Sequence, residues 1–189
     1  MKQDLPLSIV LLLGTVRRGR RSEAVAAWLK EKINQREDMN LTVFDPLDMN
    51  LPMDHEGEDL KEQNPGFKTA VENMDALIIV SPEYNHSYPG SLKRALDILF
   101  PEYARKAVGL VSVSKGNFGG VRMLEHLHAL VHALGLIESK TDLMVPNIIN
   151  FRDEEGVLHP TEDMNERLET FLNEVTWLAS SLRWGRQNI

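Results

Sequence analysis

Continuous apolar runs alternate along this chain with segments whose apolar residues recur every three or four positions. Ser8 to Leu13 is apolar after its serine and ends at Gly14. Ala76 to Val80 is apolar throughout, and Ala107 to Val113 is broken only by Gly109 and Ser112. Such runs, without polar alternation, are expected of parallel strands covered on both faces. Leu41 to Asp45 reads as a shorter strand stopped by Pro46, and a weaker one lies within Ile137 to Val145.

The helical segments fall between these strands. Val25, Ala26, Leu29 and Ile33 form one buried stripe, with Ser22 placed as its N-cap. Phe67 to Asn73 is a short helix before the third strand. Leu92, Ala95, Leu96 and Leu99 mark another after it, within Leu92 to Phe100. Val121 to Leu134 is a helix ended by Gly135. Met164 to Leu182 is the last, with Met164, Leu168, Phe171, Val175 and Leu178 as its core stripe. Residues 46 to 66 are rich in Pro, Asp, Glu and Asn, keep no period, and read as a long loop with room for one helical turn.

Five strands alternating with helices predict an α/β fold: a flavodoxin-like three-layer sandwich, a parallel sheet of order 2-1-3-4-5 with helices on both faces. Residues 1–189 read as one domain, without a linker, repeat or low-complexity tract.

In such a sheet ligands bind beyond the carboxyl ends of the strands, so the loops after strands one, three and four matter most. The first, Gly14 to Ser22, places hydroxyls at Thr15 and Ser22 and four arginines at 17, 18, 20 and 21 just before a helix. Cations, hydroxyls and unpaired helix N–H groups suit a phosphate monoester. The alternative is a solvated basic turn or a contact to an acidic partner. Gly14, Gly19 and Arg20 approach a nucleotide-binding P-loop, but Arg20-Arg21 replaces its Lys-Ser/Thr pair and Val80-Ser81 supplies no magnesium-binding Asp. The Gly-x-Gly-x-x-Gly dinucleotide signature is absent as well.

The second loop, Ser81 to Ser91, carries Pro82, Glu83, Tyr84, Asn85, Tyr88 and Pro89. It is stiffened by proline and could face a flat, polar-edged ligand with its tyrosines and asparagine. An ordinary strand-to-helix connection is the alternative. The third, Ser114 to Gly120, is a glycine-bearing turn whose backbone N–H groups can approach a ligand. A phosphate site, a tyrosine-bearing loop and an N–H-rich loop around one cleft suit a phosphorylated planar cofactor, FMN.

Composition narrows the chemistry. A net charge of −7 argues against nucleic acid and against an acidic membrane surface. There are no cysteines, which excludes thiolate nucleophiles, disulfides and iron–sulfur clusters. Redox chemistry would need a bound organic cofactor. No secretory signal is read in the sequence, so the protein is expected in the cytoplasm. His128 and His132 sit four apart on a helix but lack a His-Glu-x-x-His pattern, so a helix-face or subunit-contact role is preferred to a metal site.

From Ile9 to about Leu136 the chain resembles the NADPH-dependent FMN reductase family of flavodoxin-like quinone, azo and chromate reductases. Pro82-Glu83-Tyr84-Asn85, Ser87, Pro89-Gly90 and Leu92-Lys93 are similar to the family's loop along the flavin's pyrimidine edge and ribityl chain. Ser114, Gly116, Gly119 and Gly120 match its Ser-x-Gly-x-x-Gly-Gly. In the first loop Gly14 and Arg17 fit, Thr15 stands for a serine and Ser22 for an asparagine, while Arg20 replaces a serine. The extra cation is expected to tighten binding of a dianion.

The resemblance implies FMN as cofactor and NADPH or NADH as co-substrate. The reaction would be a ping-pong hydride transfer through flavin N5 to a small-molecule acceptor: a quinone, azo compound, metal oxyanion or free flavin. It also implies a homodimer or homotetramer and no protein nucleophile. The implied cofactor-binding residues are Thr15, Arg17, Arg20, Ser22, Pro82, Glu83, Tyr84, Asn85, Ser114, Gly116 and Gly119. An electron-transfer module without nicotinamide turnover and a non-enzymatic nucleotide-binding regulator remain alternatives.

Overall fold

The computed structural model describes residues 5–54 and 57–189, with residues 55 and 56 of the long acidic loop outside that description. In chain order the elements are β1 (Leu7–Leu13), α1 (Ser22–Asn34), β2 (Met39–Phe44), α2 (Gly57–Gln63), α3 (Pro65–Asn73), β3 (Ala76–Pro82) and α4 (Gly90–Leu96). There follow β4 (Ala107–Val113), α5 (Val121–Ala133), β5 (Ile137–Glu138), β6 (Leu143–Val145) and α6 (Glu162–Asn188). The sheet runs β2-β1-β3-β4-β5, every pairing is parallel, and β6 also pairs with β4. The flavodoxin-like order expected from the sequence is the one found, with its last strand in two pieces.

Alternate residues of each central strand feed different cores. Ile9, Leu11, Ile78, Val80 and Val111 pack with Val25 and Leu29 of α1 and Phe171 and Val175 of α6. Val10, Leu12, Leu77, Ile79 and Leu110 pack on the other face with Phe67 of α3, Leu92 and Leu96 of α4, and Leu127 of α5. Burial on both faces explains why these strands lack a polar alternation.

Several element limits differ from the sequence reading. The acidic loop holds α2, whose Leu60 is buried, and Asn64 ties that helix to the preceding loop through the carbonyls of Asn50 and Leu60. Pro65 opens α3, two residues earlier than the apolar spacing suggests. The helix after β3 stops at Leu96 rather than Phe100, and α6 continues past Leu182 to Asn188.

Ser22 departs from the sequence reading as well: it is the first helical residue of α1, and Arg21 holds the capping position without a side-chain cap. Thr161, in contrast, caps α6 by accepting from the Met164 N–H.

The register brings the carboxyl ends of β1, β3 and β4 level. Ser81 lies beside Ser112, and a Cβ at Gly14 would sit 2.6 Å from the Ser81 hydroxyl. Gly14, Ser81 and Ser112 thus form a row of small residues across the sheet edge, over which three loops converge.

Candidate functional site

The loop from Gly14 to Ser22 is held from both sides. The Gly14 N–H donates to the Val80 carbonyl at 2.9 Å, and the Ser91 hydroxyl donates to the Gly14 carbonyl at 3.0 Å. Thr15 is buried, its hydroxyl 3.0 Å from the Tyr84 hydroxyl and accepting the Arg17 N–H at 3.3 Å. Arg20 is buried too. Its guanidinium donates to the Thr15 carbonyl at 2.5 Å, to Asp45 at 2.7 Å and to Glu23 at 2.7 Å.

Those partners decide what Arg20 does. The bond to Asp45 raises the guanidinium further above its ordinary range. Burial alone would push the Asp45 carboxyl up, but the guanidinium and the Leu47 N–H, both donating to it, together outweigh burial and hold that carboxyl below the usual carboxylate range. Arg20 is thus an internal strut joining the loop to the end of β2. Its charge is already shared by two carboxylates, although the residue still lines the cleft described below.

Arg17, Arg18 and Arg21 are exposed, and none makes an ion pair among the described residues. The Arg17 guanidinium rests over the Tyr84 ring, 5.6 Å from its centre. The Ser22 hydroxyl is buried without a hydrogen-bond partner.

The loop after β3 contains a two-residue turn. Tyr84 and Ser87 exchange backbone bonds of 2.8 and 3.0 Å, and Asn85 and His86 between them have φ of 49° and 69°. Two left-handed central residues make this a tight turn of the kind that favours asparagine. Turn geometry therefore accounts for Asn85. Glu83 sends one carboxylate oxygen to within 4.0 Å of Arg122, while the other is buried and unpartnered.

The loop after β4 is fastened to the segment that follows β6. Ser114 donates its hydroxyl to the Gly116 carbonyl at 2.7 Å, and the Ile148 N–H donates to the Ser114 carbonyl at 3.1 Å. Gly119 and Gly120 have φ of 65° and 86°, which side chains other than glycine's rarely adopt.

Between the three loops lies a cleft of about 440 Å³. It is lined by residues 17 to 22, Pro82, Glu83, Tyr84, Val113, Ser114, Lys115 and Ile148. Among the residues predicted for the site, Arg17, Arg20, Ser22, Pro82, Glu83, Tyr84 and Ser114 meet here. Thr15 lies behind Tyr84 and does not line the cleft, nor do Asn85, Gly116 and Gly119. Lys115 and Ile148 were not anticipated. Lys115 stands inside the glycine motif, but Ile148 comes from a segment that carries no motif.

The donor set fits a phosphate monoester. Arginines without ion-pair partners, an unpartnered buried hydroxyl and the uncapped start of α1 point to one anion. The buried unpartnered oxygen of Glu83 is an acceptor, suited to a hydroxyl or N–H of the same ligand. Elsewhere, His128 pairs with Glu138 and Asp142, and among the described residues no cluster of three or more His, Asp or Glu is arranged for a metal.

Residues 7–149 match the model of the NADPH-dependent FMN reductase family. An NAD(P)H-dependent FMN reductase of Schizosaccharomyces pombe is 28% identical over 170 residues, covering 85% of this chain and 82% of the relative. A quinone reductase of Escherichia coli K12 is 30% identical over 167 residues, covering 76% and 86%. Among solved structures, a flavoenzyme NAD(P)H:acceptor oxidoreductase from Paracoccus denitrificans superposes with a TM-score of 0.74 at 18% identity, covering 92% of this chain and 98% of that one. A pneumococcal flavodoxin gives 0.58 at 14% identity, with coverage of 88% and 97%.

Proposed function

This chain belongs to the NADPH-dependent FMN reductase family, and from that premise we propose that it binds FMN in the cleft at the carboxyl edge of its sheet. It would oxidise NADPH or NADH and pass the electrons to a small-molecule acceptor: a quinone, azo compound, metal oxyanion or free flavin. The observation that carries this reading is the buried Ser22 hydroxyl, unpartnered among the described residues, at the uncapped start of α1, beside Arg17, Arg18 and Arg21, which make no ion pair among those residues. A buried hydroxyl without a partner in the chain is open to one from outside it.

Arg17, Arg21, Ser22 and the first N–H groups of α1 would hold the phosphate. Pro82 and Tyr84 would flank one side of the ring system and Ser114 and Lys115 the other, with Glu83 accepting from a donor group of the flavin. FMN, when bound, supplies the hydride chemistry, which allows a ping-pong sequence with no protein nucleophile. The protein's part is to position the flavin and to bind its charges. In this reading the enzyme acts in the cytoplasm as a homodimer or homotetramer, for which the exposed Phe118 near the cleft offers apolar contact surface.

Titration of the purified protein with FMN, followed by flavin fluorescence, tests the proposal. Saturable binding that inorganic phosphate weakens is expected. No binding would overturn the assignment of this cleft.

A further inference from the structure

Tyr84 belongs by sequence to the loop that flanks the ring, yet its hydroxyl is committed elsewhere. It meets the Thr15 hydroxyl at 3.0 Å, across 69 residues of chain, and Thr15 also accepts the Arg17 N–H at 3.3 Å. The Tyr84 ring meanwhile carries the Arg17 guanidinium at 5.6 Å. Tyr84 thus supports the side chain of Arg17 directly and its backbone through Thr15. Thr15 itself is buried behind the lining, with its carbonyl held by Arg20. A threonine hydroxyl shared between the Arg17 N–H and Tyr84 is a loop anchor rather than a ligand-facing donor.

We propose that the Tyr84 hydroxyl is a positioning group for the phosphate loop, so that a residue of the ring-flanking loop sets the discrimination of FMN from riboflavin. The inference rests on the FMN reading above. Preorganised donors cost less to order when the ligand arrives. Loss of the hydroxyl would release the loop and weaken only ligands that carry the phosphate. A tyrosine that served solely as a ring cover would treat the two flavins alike.

The test is equilibrium binding of FMN and of riboflavin to wild type, Tyr84→Phe, Thr15→Val and the double variant. Tyr84→Phe keeps the ring and removes the hydroxyl, and Thr15→Val removes the other half of the pair while keeping its branched shape. Each single variant should lose about fivefold to tenfold in FMN affinity, the scale of one hydrogen bond. Riboflavin affinity should stay unchanged, and the double variant should be no weaker than either single one.

An equal loss for both flavins, an unchanged FMN affinity or additive losses would overturn the proposal. Should Tyr84→Phe fail to fold, Thr15→Val carries the same comparison. Wild-type protein that binds neither flavin would overturn the FMN reading itself. Wild-type binding without the split in the variants would overturn only the role of Tyr84.

Discussion

Replacing Arg20 by methionine removes a charge from the motif proposed to hold the phosphate, and the structure predicts that the main effect is on stability. Arg20 is 7% exposed, and its guanidinium is shared among Asp45, Glu23 and the Thr15 carbonyl. Breaking a fully buried ion pair from one side costs about 3–5 kcal/mol. The Asp45 side chain is 18% exposed and Glu23 more than half exposed, so water can solvate what is left behind. The expected loss is therefore nearer about 2 kcal/mol, or about 4–8 °C in Tm for a chain of this size.

Thermal unfolding of the apoprotein, followed by circular dichroism, reads this directly. Arg20→Lys separates charge from shape. A lysine keeps the cation but cannot reach two carboxylates and a carbonyl together, so it should be destabilised almost as much as the methionine variant. The pH dependence follows from Asp45, whose folded carboxyl lies below its unfolded range. The stabilisation is complete above that unfolded range and disappears as pH falls through the folded value, so the gap between wild type and Arg20→Met should close in acid. A Tm within 2 °C of wild type for Arg20→Met, with FMN affinity lost and then restored by lysine, would refute the strut and return Arg20 to the phosphate.

Two other substitutions probe separate parts of the account. Arg17→Ala removes an exposed guanidinium that rests on the Tyr84 ring and makes no ion pair among the described residues, so FMN affinity should fall about tenfold with Tm nearly unchanged, by fluorescence titration and melting. Burial pushes the Lys106 ammonium down to about 8. The unfolded chain then holds more protons than the folded one between that value and the ordinary lysine range, so stability should rise with pH across this window. Lys106→Met should flatten that rise in the urea midpoint, and an equal slope in both proteins would contradict it.

The sheet was legible because its central strands are buried on both faces and say so in uninterrupted apolar runs. The helix α2 was not, since Leu60 alone among its described side chains is buried and acidic residues surround it. The last strand reads as one segment, yet the structure divides it between Glu138 and Leu143, where the chain leaves the edge of β4 and returns. Positions in the first loop were readable as a cluster but not as individuals. Arg20 looked like Arg17 until Asp45, brought in by the parallel pairing of β1 with β2, took its charge.

Ser22 followed ordinary capping preference in sequence, but the helix starts one residue earlier than that preference expects and leaves the hydroxyl unused. Asn85 fitted a family motif, and the structure supplies a local reason in the left-handed turn it occupies. The hydroxyl pair of Thr15 and Tyr84 joins two loops that no spacing rule connects.

Anaerobic absorbance of the FMN-loaded protein, first with NADPH or NADH and then with a quinone, tests the central claim most directly. The account predicts a bound flavin spectrum that bleaches on adding the nicotinamide and returns on adding the quinone. A bound flavin that both nicotinamides leave oxidised would contradict it.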